Sequence, residues 1–182
     1  MMSRNTEDTP DPEYQRDLID TFQEEWDASH PEEHFKCVPA VTRLIRMAQY
    51  ATRSAEETLA IFGLTRGEAE VLFAIVRNPD EAITPKRLQA LMLVSSAGLT
   101  SRLDKLEKKG LLIRIPDPDD RRGTILKATD EGVSITLKAY AAHVANEAQL
   151  IDCLTETEKT QLSRILKKLI LSQRKASGDT LK

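Results

Sequence analysis

The stretch from residue 84 to 128 most constrains the fold, because a helical leucine pattern there gives way at a glycine to β-rich runs. Leu99, Leu103 and Leu106 recur at i, i+4 and i+7, the spacing that lines one face of a helix. Serines at the start of this pattern can cap free N–H groups, and Gly110 suits the left-handed position that ends a helix. The sequence predicts a helix over about residues 95–109 that is buried along one side.

The opposite face of this helix is unusual for a merely solvated surface. It carries short hydroxyl side chains and one cation, Lys105, but no apolar bulk. Such side chains can approach base edges and phosphates in the major groove of DNA. The candidate DNA-contacting residues on this helix are Ser95, Ser96, Ala97, Thr100, Ser101, Arg102 and Lys105.

The flanking segments predict the architecture around this helix. Residues 84–91 form a short helical pattern with a threonine cap and a proline at the first helical position. Residues 111–115 and 124–128 are short β-rich runs on either side of a turn-rich tip. A helix-turn-helix followed by a hairpin is a winged helix. The predicted fold is therefore mostly α with a small β-wing.

The charge distribution favours the same reading. The net charge of the whole chain is −3, which by itself argues against a nucleic-acid partner. Residues 84–127, however, contain ten Lys and Arg against five Asp and Glu, whereas residues 1–35 contain two against eleven. DNA is attracted by the local electrostatic field of a protein surface. A basic segment within an acidic chain is therefore compatible with DNA binding.

Helical patterns also flank the winged region. They cover residues 36–62 and 65–77 before it, with Thr65 and Glu68 as a capping box, and 129–150 and the segment from Thr155 after it. The last pattern places Leu162, Ile165, Leu166, Leu169 and Ile170 on one face. Such a stripe is too apolar for a lone terminal helix, so the sequence predicts a partner that covers it.

The N-terminal extension, residues 1–35, predicts a disordered start and then one acidic amphipathic helix. A cap near Asp11 would open this helix, which ends near Ser29. Leu18, Ile19, Phe22 and Trp26 form its apolar stripe. The simplest role for Trp26 is to anchor the extension by packing.

These motifs resemble the MarR family of winged-helix transcription regulators. The resemblance rests on residues 103–111, on the wing segment from Asp117 to Arg122, and on residues 129–132, and it extends over about residues 36–175. It implies that Asp120 braces the wing through an arginine while Arg121 and Arg122 reach a minor groove. A surface hairpin with a local ion pair is the alternative.

The same resemblance implies a homodimer on a pseudo-palindromic, double-stranded operator. The winged helix would span residues 64–128, and the N- and C-terminal helices, residues 36–62 and 129–175, would form the dimerisation region, with 176–182 as a tail. Interleaved helices would place two recognition helices about one turn of DNA apart.

Within that family, the extra helix with Trp26 and two segments starting at Leu64 and Met92 look like the PecS/HucR branch, whose members respond to urate or related anions. The resemblance implies a ligand site of Trp26, Glu70, Arg102 and Arg114, with Glu70 where the branch usually has Asp. It suggests a repressor that a small anionic ligand releases from DNA. Arg114 would be the main charge partner of the ligand, and Arg114→Ala would spare DNA binding. A structural Arg–Glu pair beneath a packing tryptophan is the alternative.

Two other functions remain open from the sequence. One is a thiol sensor, since Cys37 lies near the start of the first long helix, where a helix N-terminus lowers a thiol pKa. The other is a helical interaction scaffold that does not bind DNA. The sequence contains no nucleophile–base motif, phosphate loop or metal-ligand cluster, so we expect neither an enzyme nor a cofactor. It also contains no apolar run long enough for a membrane span and no secretory signal, which predicts a cytoplasmic protein.

Overall fold

A computed structural model describes residues 15–32, 36–77, 82–92, 94–118, 120 and 123–177. It forms two compact units, Met1–Tyr50 and Ala51–Lys182. Their elements, in chain order, are the helices and strands α1 (Leu18–Ser29), α2 (Val38–Ala60), α3 (Arg66–Val76), α4 (Pro85–Met92), α5 (Ser96–Lys108), β1 (Leu112–Pro116), β2 (Thr124–Ala128), α6 (Asp130–Leu150) and α7 (Glu156–Ser177). This order of elements confirms the prediction of a mostly helical chain with a small β-wing.

The first unit contains α1 and the first half of α2. Helix α1 begins at Leu18, not near Asp11 as the sequence suggested, because Asp17 and Asp20 form a capping box there. Arg43 on α2 donates hydrogen bonds of 2.9 Å to Asp17 and 2.6 Å to Asp20. These ion pairs lower the pKa of Asp17, the hydrogen bond from Arg43 being the largest cause. The ion pairs therefore fix the start of α1 to α2.

The second unit is built on a single apolar core. Its members come from the end of α2, from α3, α4, α5 and α6, and from both strands. The largest fully buried apolar ones are Leu59, Leu72, Leu88, Leu106, Leu112 and Val71. The three leucines of α5 are 0–3% exposed, as their spacing predicts. Burial of a leucine contributes about 1.5–3 kcal/mol. The core therefore fixes α5 along its inner face.

The wing is an antiparallel hairpin in which Leu112 pairs with Ala128 and Pro116 with Thr124. Leu126 also donates a 2.8 Å backbone hydrogen bond to Ile83, just before α4. The hairpin is thus joined on one side to the helix-turn-helix. On the other side, Gly132 lies so close to the Leu111 carbonyl oxygen that a Cβ would be only 2.0 Å away. The start of α6 therefore packs tightly against the wing.

Large apolar side chains remain exposed along the long helices of the isolated chain. In the first unit these include Val41, Leu44 and Ile45 on α2. In the second unit they are Leu137, Tyr140 and Val144 on α6 and Leu162, Ile165, Leu169, Ile170 and Leu171 on α7. In the part of the chain that the structure describes, no helix is both long and apolar enough to cross a membrane.

Candidate nucleic-acid interface

Helix α5 starts and ends where the sequence predicts. The hydroxyl of Ser95 accepts a 3.1 Å hydrogen bond from the Gly98 N–H and so caps the helix. At the other end, Gly110 has φ +72°, a conformation that glycine adopts without steric cost. Thr84 caps α4 in the same way, accepting from the N–H of Arg87 at 3.3 Å. Local capping thus sets both ends of α5 and the start of α4.

One exposed face of α5 brings together five of the predicted DNA-contacting residues. A shallow surface cleft along this face is lined by Ser96, Ala97, Thr100, Ser101, Asp104, Lys105 and Lys108. Thr100 donates its hydroxyl proton to the Ser96 carbonyl at 2.9 Å, so its lone pairs and methyl group remain available to a ligand. The face offers hydroxyls near the start of the helix and two ammonium groups towards its end. Ser95, by contrast, uses its hydroxyl as the cap.

Arg102 points away from this cleft and towards α3. Its side chain is 30% exposed, and its Nη1 lies 3.5 Å from Oε2 of Glu70. The guanidinium rests on Gly67, where an added Cβ would be 2.6 Å from the Arg102 Cζ. This position fits the predicted ligand role of Arg102 better than a contact with DNA.

Glu70 is shared by two arginines. Arg66 donates from Nε to the carboxylate at 3.0 Å and from Nη1 to the hydroxyl of Thr52 at 3.4 Å. The Nη1 of Arg102 is buried and has no hydrogen-bond partner within the described ranges. We call Arg66, Glu70 and Arg102 the arginine cluster. It has one more formal positive charge than negative, and one of its buried donors is unsatisfied.

Arg114 belongs to a different group of charges. From strand β1 it donates to Asp104 at 2.6 Å and to Glu107 at 3.0 Å, both on α5. The second arginine beside Glu70 is therefore Arg66 and not Arg114. The sequence resemblance did not predict this arrangement, which depends on how the strand lies along the helix.

A cavity of about 690 Å³ lies next to the arginine cluster. It lies between α3, the end of α4 and α6, and Glu70 is part of its wall. Phe73 and Tyr140 meet edge to face in the same wall, with ring centroids 5.1 Å apart. Arg77 lines the cavity as well. Aromatic walls with a few charged groups are typical of sites for small planar molecules.

Part of the wing tip lies within the described residues. The N–H of Gly123 donates to the Asp120 carbonyl at 2.7 Å, and the Asp117 N–H donates to the Gly123 carbonyl at 3.2 Å. These bonds close the turn, and Asp120 is exposed within it. Arg121 and Arg122 lie outside the described residues, so their predicted groove contacts and the predicted brace to Asp120 remain predictions.

Trp26 lies in the first unit. Its indole is about half exposed and contacts the imidazole of His30, with ring centroids 5.0 Å apart. A groove of about 340 Å³ there is lined by Trp26 together with Ile19, Phe22 and Val38. Cys37, also in this unit, is exposed immediately before α2.

Comparison with known proteins identifies the family. The family model "MarR family" matches residues 62–123. The transcriptional regulator PecS of Dickeya dadantii is 28% identical over 149 residues, which cover 81% of this chain and 90% of PecS. The multiple antibiotic resistance protein MarR of Escherichia coli is 32% identical over 130 residues, which cover 70% of this chain and 89% of MarR.

The chain belongs to the MarR family. A crystal structure of a single-site mutant of MarR from Escherichia coli in complex with operator DNA matches this chain with a TM-score of 0.65. The match has 30% identity and covers 75% of this chain and 98% of MarR. This MarR-family chain is accordingly a DNA-binding transcription regulator and not an enzyme.

The sequence missed one contact that this MarR-family fold creates. Lys109, directly after α5, donates from Nζ to Glu68 at 2.8 Å. Glu68 was predicted only as the capping-box partner of Thr65, which it is. The two partners lie 41 residues apart, and the only signal in the sequence was an acidic residue on the inner side of a predicted helix.

Proposed function

We propose that the chain is a homodimeric repressor that binds a pseudo-palindromic operator through the exposed face of α5 and is released by a small planar anion. The observation that carries the DNA contact is the cleft on α5, where serine and threonine hydroxyls precede two lysines. Hydroxyls and small side chains can reach base edges, and the lysines can reach flanking phosphates. The buried leucine face holds the helix in place behind them.

Exposed apolar stripes support the dimer. Large side chains on α6 and α7, among them Leu137, Ile165 and Ile170, are each more than half exposed in the single chain. Burying apolar surface stabilises an assembly by about 25 cal/mol per Å² before the costs of association are subtracted. A second copy of the chain would cover these stripes, and dimerisation is typical of the family.

Salt dependence tests the DNA contact directly. A fluorescently labelled duplex from the region upstream of the chain's own gene would be titrated at several salt concentrations. We expect affinity to fall about a thousandfold between about 50 and about 200 mM salt, because several phosphates are neutralised. Lys105→Met should lower the log–log slope by about one per bound copy. A slope near zero for the wild type would exclude this mode of DNA binding.

The arginine cluster supports the ligand part of the proposal. An anion that accepts from the unsatisfied Nη1 of Arg102 would compete with Glu70, whose Oε2 lies 3.5 Å from that atom. The adjoining cavity has room for a planar ring beside Phe73 and Tyr140. The similarity to PecS and the sequence pattern of its branch favour urate or a related purine as the anion.

Release would follow if the anion binds the two states of the dimer unequally. Arg102 lies on the recognition helix, α5, and Glu70 lies on α3. An anion that replaces Glu70 at Arg102 therefore removes a contact that holds α5 to α3. A near-complete switch needs a difference in ligand affinity of about 10⁴-fold between the states. The test is a melting-temperature and DNA-release screen with urate, xanthine and hypoxanthine. If all three leave both readouts unchanged, the arginine cluster is purely structural.

A further inference from the structure

Glu68 is the most deeply buried charged residue that the structure describes. It is 1% exposed and stands on α3 directly behind the recognition helix. One of its oxygens, Oε2, accepts from the Thr65 N–H at 2.8 Å, from the Thr65 hydroxyl at 3.0 Å and from Lys109 at 2.8 Å. A buried carboxylate is tolerated only when it is paired and hydrogen-bonded in this way.

Lys109 joins this carboxylate to a second anchor. Its Nζ also donates to the carbonyl of Gly63 at 2.8 Å. Gly63 has φ +68° and forms the turn between α2 and α3. Lys109 is the C-cap residue of α5 and directly precedes Gly110, at which the helix stops. One ammonium group therefore holds the end of the recognition helix against both the turn and the start of α3.

The charge state of Glu68 suits its ion pair with Lys109. Burial by itself would raise the pKa of Glu68, but the hydrogen bonds from Lys109 and Thr65 together outweigh burial and lower the pKa. Glu68 is consequently ionised near neutral pH. Neutralising Lys109 would leave an uncompensated buried carboxylate, and α3, α5 or the intervening turn would have to shift to hydrate it.

We propose that Lys109 is a positioning residue for DNA recognition: through Glu68 and Gly63 it sets the angle at which the exposed face of α5 meets the groove. The inference rests on the DNA-binding function. Base contacts depend on orientation, whereas non-specific contacts with phosphates depend mainly on charge. A misaligned α5 should therefore lose discrimination between sequences more than it loses overall attraction to DNA.

The experiment compares Lys109→Met with Lys105→Met, which removes the same charge from the exposed cleft. Each protein is titrated against the upstream-region duplex and against a scrambled duplex of equal length, over a range of salt. We expect Lys109→Met to weaken the upstream complex roughly tenfold, as for a lost charged hydrogen bond, with its salt slope unchanged. Lys105→Met should weaken both complexes and lower the slope.

Glu68→Gln and Lys109→Arg complete the test, since either remains informative if Lys109→Met folds poorly. Glu68→Gln should reproduce the loss of discrimination. A double variant that combines Lys109→Met with Glu68→Gln should lose no more discrimination than either single variant, because both substitutions remove the same contact. Lys109→Arg keeps the positive charge and should bind the upstream duplex as the wild type does. Circular dichroism at the assay temperature verifies that each variant is folded.

Two results would overturn the positioning role. In one, Lys109→Met lowers the salt slope as Lys105→Met does while Glu68→Gln has no effect, so that Lys109 contacts DNA itself. In the other, both variants melt earlier but keep full discrimination, so that the bridge only stabilises the fold. A wild-type protein without salt-dependent binding would instead overturn DNA binding, and this inference with it.

Discussion

Arg114 on strand β1 donates a 2.6 Å hydrogen bond to Asp104, a residue that lines the exposed cleft of α5. A carboxylate at that position would repel phosphates if it were not compensated. Under the proposed function, the wing thus provides α5 with a cation that compensates a carboxylate on its DNA-contacting face. This arrangement changes what is expected of Arg114, which the sequence resemblance assigned to a ligand.

We predict that Arg114→Ala weakens DNA binding. Asp104 and Glu107 would both lose their partner beside the cleft. Because these carboxylates are about half exposed, solvent screening limits the effect to about fivefold in affinity. Fluorescence anisotropy with the upstream duplex measures the loss, which should shrink as salt is raised.

Arg114→Ala combined with Asp104→Asn is the matched control. Removing the uncompensated carboxylate should restore most of the affinity, whereas a general defect of the wing would not be repaired. If Arg114→Ala binds DNA normally and no longer responds to urate, the ligand role implied by the sequence is correct instead.

The parts of the fold that were predictable depend on local signals. A capping box at Thr65, a serine cap at Ser95 and a glycine stop at Gly110 each act within four residues, so the sequence alone located the start of α3 and both ends of α5. The leucine spacing likewise identified the buried face of α5. These features follow from backbone hydrogen bonding and helical periodicity.

The contacts around the site could not be predicted because they join distant segments. Lys109 and Glu68 meet only after α3 and α5 have packed on the common core. The partners of Arg114 depend on how β1 lies along α5, and a resemblance drawn from residue patterns assigned it differently. The start of α1 was misplaced because Asp17, which caps this helix, is also paired with Arg43, a residue 26 positions away that the local sequence does not reveal as a partner.

We predict a pH dependence of stability that comes from Glu68. Its pKa in the folded protein lies below the ordinary value of 4.5. The stability that ionised Glu68 contributes is therefore complete above about pH 4.5 and declines as pH falls through the lower folded-state pKa. Urea unfolding of the wild type and of Glu68→Gln should show a gap that is widest near pH 7 and narrows below pH 4.5. A constant gap across this range would mean that the charge of Glu68 is not what stabilises the fold.

We predict that Cys37→Ser leaves DNA binding and its regulation intact. Cys37 is exposed, but Lys36 is the only cation adjacent to it in sequence, and oxidant-sensing thiols depend on a cationic environment. The measurement is DNA release by hydrogen peroxide, with Cys153→Ser as the control because that thiol is also exposed. Peroxide release that the wild type shows and Cys37→Ser loses would make the chain a thiol sensor.

Finally, we predict that Glu70→Gln makes the protein more sensitive to urate. Glu70 holds Arg66 by a 3.0 Å hydrogen bond and faces Arg102 at 3.5 Å, so it competes with any anion for the same guanidinium groups. Neutralising it removes that competitor while keeping a side chain of nearly the same size. The pair is partly exposed, so we expect a gain of about fivefold in urate affinity, seen as DNA release at correspondingly lower urate.

Two arginine variants locate the anion within the cavity. Arg102→Met should abolish urate binding, whereas Arg77→Met, which removes the arginine that lines the cavity itself, should preserve it. The reverse pattern would place the anion away from the arginine cluster. Trp26 fluorescence tests separately whether the tryptophan takes part, because it is the only tryptophan in the chain. If Glu70→Gln and the wild type respond to urate identically, competition for Arg102 is not how the ligand acts.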